Sequence, residues 1–261
     1  MDLVSQIKEM VEVLPVRTLR SRFEDADYLA VICHEISTPL GSIIGLSRIL
    51  ADTDCTPEKK IECAEMLRDS SSMLMGLMRN LLDSARLDAG MLEIDHVGFD
   101  LHKLLEGVKN IISIKAQDKA LNVHLHLNSD MLAFYVGDPL RISQILLNLL
   151  SNAVKFTSRG DISIYLTEEI ASKGFSAIKI TVADRGIGID DEMQKKIFNK
   201  FAQGGANITR QYGGTGLGLF ISQELAHLMK GNITVKSWPH IGTHFTLALR
   251  LQKTPELLLA A

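Results

Sequence analysis

Downstream of Pro57 the residues Ala64, Leu67, Ser71, Leu74, Met78, Leu81 and Ala85 recur in alternating steps of three and four without a break. This heptad seam constrains the fold more than any other stretch, because a helix carrying it needs partner helices along its whole length. One partner lies just upstream. From about Thr18 to Leu50 a second helical pattern puts Ile32, Ile36, Ile43, Leu46 and Leu50 on one stripe at 3.6 residues per turn. The turn-like ADTDCTPEKK between them predicts an antiparallel hairpin. Such a hairpin cannot bury all its apolar area alone. A homodimeric four-helix bundle is the economical solution, and a hairpin lying on the rest of the chain is the alternative.

His34 falls on the side of the first helix opposite its apolar stripe, with the small residues Ala30, Gly41 and Gly45 around it. A helical glycine costs about 1 kcal/mol relative to alanine and an interior proline such as Pro39 about 3 kcal/mol. Pro39 also cannot donate to the carbonyl of Glu35, which loosens the backbone one turn after the histidine. A surface histidine is ordinarily only a solvated side chain, but three helix penalties clustered beside this one suit a reactive, movable site.

Beyond Gly90 the pattern changes, and the sequence predicts a mixed domain. MLEIDHV reads as a strand, Asp100 to about Gln117 as a helix capped by Asp100, and LNVHLHL as a period-two strand. His124 and His126 share one face of that strand and read as a surface pair or as two members of an incomplete metal site. Asp138 to Phe156 forms a helix opened by Asp-Pro, with Ile142, Ile145, Leu146, Leu149, Ala153 and Phe156 as its apolar stripe. Its other side aligns Gln144, Asn148, Asn152 and Lys155. Asparagine is a mediocre helix former, so this is either a plain solvated face or a site where amide oxygens ligate magnesium and the ammonium pairs with phosphate.

The strands DISIYLT and SAIKITVAD precede DRGIGID, where Gly186 and Gly188 permit a sharp turn and close approach to a ligand. QYGGTGLGLFIS runs Gly213, Gly214, Gly216 and Gly218 straight into the apolar helix Leu219 to Met229, presenting backbone N–H groups to an anion. The polar stretch Asn199 to Tyr212, with Gly204 and Gly205, reads as a mobile lid. Strands at Asn232 to Ser237 and Thr243 to Leu251 complete a sheet covered by helices. No GK[ST] follows the glycines and they do not follow the first strand, which excludes a Walker loop and a Rossmann fingerprint.

A formal charge of −3 argues against nucleic-acid binding. Cys33, Cys55 and Cys63 form no CxxC pair and fit a reducing compartment. No apolar run approaches the roughly 20 residues of a membrane span, and MDLVSQIKEM is no signal peptide. The expectation is a cytoplasmic protein without membrane contact in this chain, either self-standing or the soluble part of a membrane-anchored sensor. Leu3 to Leu14 reads equally as a coiled-coil input helix or a surface helix.

At this point the motifs resemble those of sensor histidine kinases. HEISTPL resembles the phosphoacceptor box, QILLNLLSNAVKFT the asparagine box, DRGIGI and GGTGLGL the two glycine boxes, and FNKF the phenylalanine box. KFT and YGGTGLGL are most similar to kinases of hybrid, multi-domain sensors. The resemblance implies an α+β chain: a helical-hairpin dimerisation domain, forming a four-helix bundle in the dimer, followed by an α/β-sandwich ATP-binding domain of the Bergerat type. The implied divisions are 1–19 linker or helix, 20–90 dimerisation and phosphotransfer, 91–252 ATP binding, and 253–261 tail.

It further implies that ATP and Mg2+ are bound, that His34 attacks the terminal phosphate with Glu35 accepting its proton, and that Thr38 serves receiver dephosphorylation. Asp184 would bond the adenine amino group and Asn148 would hold the metal. Asn152 and Lys155 would sit near the phosphates, and Phe198 and Phe201 would anchor the lid. Gly186, Gly188, Tyr212, Gly214, Thr215, Gly216, Leu217 and Gly218 complete the nucleotide-binding set. The implied partners are a second copy of the chain and the receiver domain of a response regulator. Ser37, Cys33 and Gln144 depart from the common pattern, where arginine, serine and glutamate are frequent. Two rival functions are an ATPase that makes no phosphohistidine, and a non-catalytic dimeric scaffold or receiver phosphatase.

Overall fold

The computed structural model describes residues 26–52, 55–127, 134–172, 174–202 and 216–254. The helix expected over 3–14, most of the lid, Tyr212, Gly214, Thr215 and the tail from 255 lie outside the described residues. The chain divides into two units, Met1–Leu92 and Glu93–Ala261.

In the first unit, α1 (Ala26–Ala51) and α2 (Pro57–Asp88) pack as a hairpin. Thr56 caps α2 by accepting from the Lys59 N–H at 3.4 Å, and Pro57 occupies the first turn, where its missing donor is not needed. The shielded face of α1 runs through Ile32, Ile36, Ile43, Leu46 and Leu50, as its periodicity predicts. Pro39 is buried in this same stripe, so it also contributes packing. Within a single hairpin, α2 turns a neighbouring stripe toward α1. Burial is deepest at Cys63, Leu77 and Ser84, whereas Ala64 is exposed and Met78 is 37% exposed. Residues 63, 70, 77 and 84 have the same spacing as 64, 71, 78 and 85, and both sets flank Leu67, Leu74 and Leu81. Periodicity cannot separate two stripes one residue apart; contact with α1 does.

The second unit contains β1 (Val97–Asp100), α3 (Leu101–Gln117), β2 (Asn122–His126), β3 (Phe134–Gly137), α4 (Pro139–Phe156), β4 (Asp161–Ser172), β5 (Phe175–Ala183), α5 (Asp191–Gln194), α6 (Gly218–Leu228), β6 (Asn232–Trp238) and β7 (Gly242–Lys253). Among the described residues the strands form one sheet in the order β1-β3-β7-β5-β4-β2, with β6 also paired to β7. Only β2 with β4 is parallel; the other pairs are antiparallel. One sheet face buries Ile162, Ile164, Ile178, Ile180, Val182, Leu247 and Leu249, and the helices contribute Leu105, Ile112, Ile145, Leu146, Leu149 and Leu225. Hydroxyl and charged pairs such as Thr181 with Thr246 and Lys179 with Glu169 occupy strand positions of the opposite parity.

Asp100 and Asp138 each cap the helix they precede, accepting from Lys103 N at 3.0 Å and Arg141 N at 2.9 Å. Asp138 also accepts from Asp95 N at 3.1 Å. That bond explains a correction: residues 91–96 are not a strand, and pairing begins only at Val97. The partner of β1 is β3, a four-residue strand that the sequence pattern did not reveal.

Candidate active site

His34 is exposed on α1, Glu35 is half-buried, and the Thr38 hydroxyl donates to the His34 carbonyl at 3.0 Å. Ser42 makes the same bond to the Thr38 carbonyl at 3.2 Å. Side-chain bonds of this kind bend a helix, and here they frame Pro39, which withholds a donor from Glu35. A Cβ built on Gly41 or Gly45 would meet nothing within 4 Å. The imidazole therefore stands on an uncrowded helix face.

In the second unit the polar face of α4 meets the start of α6. Asn148 Nδ2 donates to Ser222 Oγ at 2.9 Å. A Cβ on Gly218 would fall 2.5 Å from Asn148 Oδ1, so any side chain there would displace the amide. The amide is thereby oriented by one atom, and its oxygen is the kind of hard, neutral donor that magnesium takes. Asn152 is half-buried on the same face, and the Lys155 ammonium lies 5.0 Å over the Phe156 ring. Gln144 accepts from Arg141 Nη1 at 2.9 Å.

Asp184 follows β5 and is only 8% exposed. Burial pushes its carboxyl above the ordinary value, opposed by backbone bonds from Gly186 and Thr243 and by the nearby His244. Its Oδ1 accepts from Gly186 N at 2.8 Å, and its backbone exchanges bonds with Thr243 at 2.9 and 3.3 Å. Gly188 has φ +71°, and a Cβ there would lie 2.1 Å from the Trp238 carbonyl oxygen. A groove of about 610 Å³ borders Asp184, lined also by Arg185, Trp238, Ile241, Gly242 and His244.

The phenylalanine turn and the second glycine turn interlock. Phe201 N donates to Gly216 O at 3.2 Å, with φ +61° at Phe201 and +68° at Gly216. Phe198 meets Phe245 edge-on at 6.3 Å, and Leu217 is buried. The Phe201–Gly216 bond joins the phenylalanine turn directly to the start of α6.

Thus Asn148 meets Gly218, Phe201 meets Gly216 and Asp184 meets Gly186, while His34, Glu35 and Thr38 belong to the other unit. The motif reading did not include Ser222, Gly242 or Thr243. Ser222 had one signal, its place one helical turn after Gly218, on the same side of the helix. For Gly242 and Thr243 a single sequence offers none, because Thr243 bonds the Asp184 backbone from another strand and Gly242 leaves room for the Asp184 carbonyl, 2.0 Å from where its Cβ would be.

The helical unit and the sheet unit together define a two-module kinase core. Residues 25–90 match the His Kinase A (phospho-acceptor) domain and residues 137–253 match the histidine kinase-, DNA gyrase B- and HSP90-like ATPase. The chain belongs to the histidine kinases. It is 32% identical over 265 residues to the signal transduction histidine-protein kinase BarA of Escherichia coli, covering 98% of this chain and 29% of that protein. It is 36% identical to the sensor histidine kinase GacS of Pseudomonas protegens, covering 88% of this chain and 25% of that protein. The chain thus spans less than a third of these relatives. Full-length ShkA, solved in complex with AMPPNP, superposes with a TM-score of 0.65 at 28% identity, covering 90% of this chain and 48% of ShkA. No helix among the described residues is long and apolar enough to cross a membrane.

Proposed function

We propose that this chain binds ATP with Mg2+ in its second unit, transfers the γ-phosphoryl group to His34, and passes it to an aspartate of a response-regulator receiver. The observation that carries the reading is the oriented Asn148 amide beside the glycine-opened start of α6, together with an exposed imidazole on the continuous helix α1, five residues before Pro39. In the transfer a lone pair of His34 forms the new N–P bond, the bond from phosphorus to the bridging oxygen breaks, ADP departs, and the imidazole proton goes to Glu35. Asn148 would hold the metal, which supplies charge neutralisation at the phosphates. Lys155 and Asn152 would pair with phosphate oxygens, and Asp184 would accept from the adenine amino group.

Exposed Ile61, Met66, Met73, Met75, Met78 and Leu82 leave α2 with more apolar surface than a hairpin covers. This supports a homodimer in which two hairpins make a four-helix bundle. Incubation with MgATP is expected to give an acid-labile, alkali-stable phosphoryl group that His34→Gln lacks. Label retained in that variant would refute the assignment of His34.

A further inference from the structure

The asparagine-bearing helix α4 ends in four carbonyls that no helical N–H of its own can satisfy unaided, and each has a partner. Ala153 O accepts from Thr157 N at 3.0 Å, and Phe156 O accepts from Ile187 N at 3.4 Å. The two between them are held by a side chain from elsewhere in the fold. Lys119 Nζ donates to Val154 O at 2.9 Å and to Lys155 O at 3.0 Å. Lys119 sits in the turn between α3 and β2, where the neighbouring Ala120 takes a left-handed φ of +53°. The motif reading did not single it out.

Two physical consequences follow. A cation fixed on the last carbonyls stabilises the negative end of the helix dipole and stops the final turn from fraying. A lysine in the last turn of a helix can itself fold back onto those carbonyls, and Lys155 is in that turn. With Lys119 on Val154 O and Lys155 O, the backbone that carries Lys155 is held at the α4 terminus, and the Lys155 ammonium lies 5.0 Å over the adjacent Phe156 ring. The same turn leads directly into the Phe156 carbonyl, against which the Gly186 turn packs: a Cβ on Gly186 would fall 2.7 Å from it.

We propose that Lys119 is a positioning residue for the nucleotide phosphates: by capping α4 it sets the direction of Lys155. The inference rests on the kinase reading above, in which Lys155 pairs with phosphate. Lys119 touches neither nucleotide nor His34 in this scheme, and it acts through Lys155.

The test is calorimetric titration of the full chain with MgATP and, separately, with adenosine, for wild type, Lys119→Met, Lys119→Arg, Lys155→Met and the double variant Lys119→Met/Lys155→Met. Lys119→Met is expected to weaken MgATP binding about tenfold, the scale of a charge-assisted bond acting at one remove, and to leave adenosine affinity unchanged. Lys119→Arg, which keeps the charge and two donors, recovers most of the loss. In the Lys155→Met background the Lys119 substitution costs nothing further, since coupled residues are non-additive. Equal losses for MgATP and adenosine, or losses that simply add in the double variant, overturn the positioning role while leaving the kinase reading intact. Wild-type protein that fails to bind MgATP overturns both.

Discussion

Asn148 and Ser222, 74 residues apart in sequence, are joined by a 2.9 Å hydrogen bond from the asparagine amide to the serine hydroxyl. The bond locks the amide so that its oxygen lies over Gly218. An amide fixed in this way ligates a cation without reorganising. Ser222→Ala is therefore expected to weaken MgATP binding about tenfold with little change in fold stability. Gly218→Ala should do more, because the new methyl would occupy the place of Asn148 Oδ1. Isothermal titration decides both, and undiminished affinity in Gly218→Ala would show that this oxygen is not the ligand.

Gly188 answers to stability. Its φ of +71° and the 2.1 Å approach of a Cβ to the Trp238 carbonyl oxygen leave no room that a side-chain movement could create. Gly188→Ala is expected to destabilise the second unit by about 3 kcal/mol. Thermal unfolding should move down by roughly 10 °C, and a midpoint unchanged from wild type would contradict the geometry.

The buried Asp184 carboxyl predicts a pH dependence of nucleotide affinity. Desolvation raises its pKa above the usual carboxylate value, so on acidification it takes up a proton earlier than an exposed aspartate, whose pKa is about 3.9. The ionised form accepts a hydrogen from an adenine amino group and the protonated form does so poorly. ATP affinity should fall with decreasing pH from above that ordinary range, and Asp184→Asn should remove the dependence along with most of the affinity. Apo stability has the opposite sign: ionisation of a desolvated carboxyl costs more in the folded state, so this group favours folding less as pH rises. Flat ATP affinity through mildly acidic pH would exclude Asp184 as the acceptor.

Toward the β4–β5 turn, Glu168 accepts from Ser176 Oγ and pairs with Lys253 Nζ at 2.9 Å, with the two side chains of the pair 11% and 25% exposed. Burial alone would raise this carboxyl, but Ser176, Lys253 and Tyr135 together hold it below the ordinary value. A depressed carboxyl stabilises the fold above its unfolded pKa, and that contribution is lost as pH falls through the folded one. Lys253→Met should cost about 2 kcal/mol at neutral pH and less at pH 3, measured by urea unfolding. An equal cost at both pH values would mean that the charge pair contributes nothing.

Local signals carried much of this protein. The helix over 139–156 was legible from Asp-Pro and a 3.6-residue period, the cap at Asp100 from one acidic residue before an apolar run, and the turns at Gly186 and Gly188 from glycine itself. Each depends on residues within a few positions of one another, where backbone preference and side-chain spacing act directly. The His34 face was readable in the same way, since a stripe on one side of a helix defines the other.

What needed the tertiary structure was every choice between alternatives of equal local quality. The α2 seam could turn by one residue, and only packing against α1 selected Cys63 over Ala64. The four residues of β3 are too short to announce themselves and exist as a strand because β1 and β7 flank them. The pairing of Asp184 with Thr243, the lock of Ser222 on Asn148 and the cap of Lys119 on α4 join positions dozens of residues apart. Composition and period describe what a segment prefers by itself, and no preference of one segment encodes which distant donor will reach its carbonyls.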